Sequence, residues 1–147
     1  MPRRSPAVCL FLAALGCGPP GHAWQGVYAV TGSAWYSIPG FGNASFVVAD
    51  TFQISAGTSS DLLLSDSAGK CALPARVEGD GVRLLEGASC HWRDQGTAFQ
   101  LTLARGSVAP SEEGGRLDMA GSVTATARGQ MASGDFFQRA TLTRLEE

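Results

Sequence analysis

The sequence predicts an all-β domain, an antiparallel meander of about eight strands, and three observations predict it. Apolar and polar residues alternate with a period of two in most segments after residue 24. Clusters of Gly, Asn, Asp and Ser recur between those runs, where tight turns belong. No segment carries the helical period that a crossover between parallel strands needs.

The strands follow in order. Trp24, Gly26, Tyr28 and Val30 fall on one face of a first strand. Phe46, Val48, Phe52 and Ile54 share a face of a second, interrupted by Asp50. Leu62 and Leu64 mark a third, and Cys71, Leu73, Ala75 and Val77 a fourth. Gly79-Asp80-Gly81 tolerates positive φ and forms a hairpin turn into a fifth strand at Val82 and Leu84. Phe99, Leu101 and Leu103 define a sixth, Leu117 to Thr126 a seventh, and Phe136 to Leu145 the last. Turns are expected at 39–43, 57–61, 94–96 and 112–115. A meander of this size can close on itself and leave no exposed edge, so a closed up-and-down barrel is expected, with a two-sheet β-sandwich as the alternative. Most strands are read as too short to cross a bilayer as an outer-membrane barrel does.

The N-terminus reads as an address. Arg3 and Arg4 precede an apolar run from Ala7 to Leu15. Such a run is far below the roughly 20 residues of a membrane span and fits a secretory signal. Two cleavage points compete. Ala14-Leu15-Gly16-Cys17 resembles the lipobox of bacterial lipoproteins, although Ala14 and Leu15 depart from its usual residues. That resemblance implies acylation of Cys17 and a membrane anchor, and Gly18 after it implies sorting to the outer membrane. Gly21-His22-Ala23 is the rival, an ordinary signal-peptidase site before Trp24 that implies a periplasmic or secreted protein. The expected organisation is a signal over 1–16, a Gly/Pro-rich tether over 17–23 and one domain over 24–147. Cys71 and Cys90 are then an even pair in an oxidising compartment, and a disulfide is expected between them.

Composition excludes some partners. Without Arg3 and Arg4 the eleven basic residues become nine, against thirteen acidic ones, a net charge of −4. Nothing here forms the basic cluster that nucleic acid requires. Catalytic signatures fail as well. His91 adjoins Cys90, and neighbours on a strand face opposite ways, so they make no nucleophile–base pair. There is no nucleophile elbow, phosphate loop, Cys-x-x-Cys or paired-His metal motif. No enzyme activity, cofactor or metal is expected.

Trp24-Gln25-Gly26-Val27-Tyr28 resembles the first strand of small lipocalin-like barrels, and Gly32 to Tyr36 is close to their Gly-x-Trp-Tyr signature with one residue extra. The resemblance covers about a dozen residues. It implies a Trp closing one end, an Arg from a late strand (Arg139 or Arg144) stacked on it, and a cavity for a small apolar ligand. Small lysozyme-inhibitor lipoproteins are similar in size and architecture, but their loop motif is missing.

Four residues are candidates for binding. Trp35, Tyr36 and Phe41 surround Pro39-Gly40 in an expected loop, where exposed aromatics mark contact surfaces or fold back into the core. Asp50 is either a cavity-facing acid or, the preferred reading, a bulge or strand end reaching solvent. The expectation is a non-enzymatic envelope lipoprotein that acts as a protein-interaction or assembly module. The alternative is a lipocalin-like carrier or sensor of a small apolar ligand.

Overall fold

A computed structural model describes residues 18–145. The expected signal and Cys17 lie outside the described residues. Among those described, nine strands carry the fold: β1 (Gly26–Ile38), β2 (Gly42–Ala56), β3 (Leu62–Asp66), β4 (Cys71–Glu78), β5 (Gly81–Leu84), β6 (Ser89–Asp94), β7 (Thr97–Ser111), β8 (Gly114–Ala127) and β9 (Gln130–Arg144). All pairings are antiparallel. The all-β meander is therefore present, with one strand more than expected.

Successive strands are neighbours almost throughout, and β9 returns to pair with β1. The extra strand is β6. It shares with β5 the place between β4 and β7, each pairing with both. The break between them stays bonded: Leu85 N–H donates to the Pro74 carbonyl and Leu103 N–H to the Ala88 carbonyl. The tight turns use positive φ. Gln95 and Gly96 join β6 to β7 at φ 46° and 81°, and Arg128 and Gly129 join β8 to β9 at 51° and 74°. Two successive positive values match the twist of the strands they connect.

The alternation seen in the sequence is the inside of this sheet. Tyr28, Val30, Phe52, Ile54, Leu64, Leu73, Leu101, Leu117 and Leu142 are buried in one continuous core. Each fully buried Leu or Val contributes about 1.5–3 kcal/mol of transfer free energy. Gly32 allows β1 and β9 to approach closely, because a Cβ there would strike the Arg139 carbonyl and Ala140 Cα. Cys71 and Cys90 form the expected disulfide, as a directly opposed pair between β4 and β6.

Several expectations need correction. The first strand begins at Gly26, and Trp24 belongs to a preceding 3-10 turn, His22–Trp24. Ahead of that turn, Gly21 leaves no room for a side chain, because a Cβ there would strike the Leu62 side chain. Trp35 and Tyr36 are not in a loop. They lie on β1, which runs on to Ile38, and only Phe41 is in the β1–β2 turn. The strands are also longer than expected: β1, β2, β7, β8 and β9 have 13, 15, 15, 14 and 15 residues.

Unequal strand lengths open the sheet on one side. β2 pairs with β1 from Gly42 to Ile54, but β3 covers its other edge only from Phe52 to Ala56. β6 pairs with β7 along its whole length, but with β4 only at Ser89 and Cys90. The short β3–β4 hairpin turns back at 67–70. Beyond that turn, the edges of β2 and β6 lack a strand partner among the described residues.

Candidate functional site

The opening leads to a cavity of about 220 Å³. β2 supplies Phe46, Val48, Asp50 and Phe52 to its wall, and Asp66 at the end of β3 supplies a second carboxylate. Trp92 and Arg93 of β6, Phe136 and Gln138 of β9, Lys70 and the disulfide complete most of the lining.

Asp50 is on an unshifted register opposite Val30, so neither a bulge nor a strand end places it there. The preferred sequence reading of Asp50 is thus overturned. Continuous period-2 alternation carries it to the same side as Phe46 and Phe52, half-buried at the cavity. Its Oδ1 accepts the Thr51 N–H at 2.7 Å and the Ser67 hydroxyl at 3.4 Å. Asp66 is more enclosed, at 7% exposure. Its Oδ1 accepts the Cys71 N–H at 2.7 Å, and its Oδ2 is buried with no hydrogen-bond partner. Lys70 and Arg93 are exposed at the rim. The ion pairs recorded among the described residues, Arg83–Glu78 and Arg139–Asp118, involve neither cavity carboxylate.

The aromatic candidates separate because adjacent strand residues face opposite ways. Tyr36 points inward, its ring 5.4 Å from that of Phe99, and Phe41 meets the same ring edge-on at 6.2 Å. Trp92 stacks on Phe99 at 5.2 Å and leans on Phe136 at 5.9 Å. This cluster fills the interior beside the opening. Trp35 points outward and stacks on Phe137 at 5.4 Å, with the Arg105 guanidinium 6.0 Å from the centre of the Phe137 ring. A larger outer groove of about 840 Å³ adjoins this pair, and the ion pairs Arg83–Glu78 and Arg139–Asp118 lie in its lining. The smaller cavity is the one lined by a buried carboxylate oxygen without a hydrogen-bond partner, Asp66 Oδ2.

The edge of β2 forms one lip of the opening. Ser67 N–H donates to the Thr51 carbonyl, so residue 51 directs its backbone groups away from β1. Alternate residues of an antiparallel strand repeat that direction. Asn43, Ser45, Val47 and Ala49 therefore present their N–H and C=O groups at the uncovered edge. No charged residue occurs from Gly42 to Ala49, and Phe41, Phe46 and Val47 are exposed beside it, Val47 at 83%.

The arginine expected to stack on a Trp does otherwise. Arg144 lies over Tyr28, and Arg139 pairs with Asp118 on the outer surface. His91 is exposed while Cys90 is buried and disulfide-bonded. Among the described residues no three His, Cys, Asp or Glu side chains gather as a metal site would require. β6 and Asp66 escaped the sequence reading. Asp66 continues the Leu62, Leu64 alternation, and that period is its signal in the sequence.

Comparison of the chain with protein-family models, curated proteins and solved structures gave no match.

Proposed function

We propose that this is a non-enzymatic, lipid-anchored envelope protein that works as a protein-interaction module. Its partner adds an extended, largely apolar strand to the free edge of β2. The observation that carries the reading is the uncovered, uncharged edge from Gly42 to Ala49, flanked by exposed Phe41, Phe46 and Val47. Backbone pairing along such an edge gives affinity, and alternate side chains give selectivity. An edge this long without Lys, Pro or a cover is an aggregation hazard unless something occupies it.

The architecture that suits this role is an up-and-down barrel split along one side. Its support is the unbroken circuit of pairings from β1 through β5, β7 and β9 back to β1. The anchor reading rests on the lipobox-like residues before Cys17, and the oxidising compartment on the Cys71–Cys90 bridge.

A photo-crosslinking residue at Val47 of the full chain, expressed in its native cells, tests the role. The expected result is one discrete adduct that disappears when Ala49→Pro removes an edge N–H. The same substitution is compatible with an unpaired edge. Adducts identical to those from an outer-face control at Thr141, or unaffected by Ala49→Pro, would refute it. Palmitate incorporation that is abolished by Cys17→Ser tests the anchor separately.

A further inference from the structure

We infer that the side cavity is a binding site for a small amine, a cationic head on a compact apolar or aromatic body. This goes beyond strand addition at the β2 edge and does not depend on it. A buried carboxylate oxygen without a partner is costly to desolvate, and a ligand that donates to it removes that cost. Asp66 Oδ2 is that oxygen, and Asp50 supplies a second carboxylate in the same lining. Carboxylate oxygens accept hydrogen bonds, and this pair suits a group that brings N–H donors and positive charge.

The rest of the wall selects what carries that charge. Phe46, Phe52, Trp92 and Phe136 line the cavity. Their ring faces attract an ammonium and bury an apolar body. The volume of about 220 Å³ lies below the usual range for drug-sized ligands, so the occupant is small. Lys70 and Arg93 have long stems and exposed positions at the rim, where they turn to solvent or to the outer end of the ligand.

The test is NMR titration of the purified protein, disulfide intact, with three probes of similar size: phenethylamine, phenethyl alcohol and phenylacetate. The expected result is saturable binding of phenethylamine, read at the Asp50 and Asp66 amides and the Trp92 indole. It should exceed the alcohol by about tenfold or more, with the anion weakest. Asp66→Asn should abolish the preference for the amine while keeping the Oδ1 contact to Cys71, which a thermal melt checks. If that variant misfolds, Asp50→Asn should reduce the preference instead. Equal binding of all three probes, a preference for phenylacetate, or no saturable binding would overturn the inference. Ser45→Pro, which removes an edge N–H at a residue outside the cavity lining, should leave the titration unchanged, so failure here is distinguishable from failure of strand addition.

Discussion

Arg144 lies with its guanidinium 4.8 Å from the centre of the Tyr28 ring while it hydrogen-bonds the Tyr28 hydroxyl. The same side chain donates to the Gln25 carbonyl at 2.8 Å and the Ala23 carbonyl at 2.6 Å. Tyr28 in turn donates its hydroxyl hydrogen to the Trp24 carbonyl at 2.8 Å. The end of β9 is thereby tied to the segment that enters β1. Arg144→Ala should destabilise the protein by about 1–2 kcal/mol, since three contacts are lost but the site is solvent-exposed. Arg144→Lys should recover only part of this, because a lysine cannot span three acceptors in a planar fork. Thermal melts of the two variants check the order.

Burial raises the pKa of Tyr28 above the ordinary phenol value of 10.0, and the Arg144 charge opposes that rise. A phenol whose folded pKa is raised holds its proton longer when folded. Its contribution to stability is therefore complete below the unfolded pKa and is lost as pH climbs through the folded one. Denaturant melts should show stability falling above about pH 10. Tyr28→Phe should flatten that alkaline slope and cost about 1 kcal/mol at neutral pH through the lost hydroxyl bonds.

Cys71 and Cys90 are 19 residues apart in sequence. Closing a loop of that size stabilises the folded state by about 3 kcal/mol in the chain-entropy account. Reduction, or Cys71→Ser with Cys90→Ser, should lower the denaturant midpoint accordingly. It should also loosen the β4–β6 contact that borders the cavity, which hydrogen exchange at Ala72 and His91 would report.

Two aromatic clusters of similar geometry should differ in worth. Phe99 is 6% exposed and meets Tyr36, Phe41 and Trp92. Phe99→Ala should cost about 3–5 kcal/mol as a core truncation. Trp35 is 37% exposed and stacks on Phe137 from outside. Trp35→Ala should cost only about 1 kcal/mol. Equal losses in chemical denaturation would mean that the outer pair does more than stack.

Local pattern was enough to read most strands, because one face of each packs on the core and one does not. Phe99-Gln100-Leu101-Thr102-Leu103 alternates in polarity and in burial alike. β6 was illegible for the converse reason: in Cys90-His91-Trp92-Arg93 the inward Trp92 is only half-buried, and two of its neighbours are charged or polar. Past Val30 the inner face of the first strand runs through Gly32, Ala34, Tyr36 and Ile38, where small and polar residues mask the alternation. That continuation puts Trp35 and Tyr36 on opposite sides of β1. The opening could not be read at all. It arises because β2 outruns β3 by ten residues, Gly42 to Thr51, a comparison between two strands that neither records alone.

The central claim is that the free edge of β2 receives a strand, and amide hydrogen exchange measures this most directly. Exchange along β2 would be followed in the free protein and in the complex recovered through Val47. The account predicts fast exchange at Asn43, Ser45, Val47 and Ala49 when free, and slow exchange at all four in the complex. Unchanged exchange on complex formation, or protection at all four already in the free protein, would contradict it.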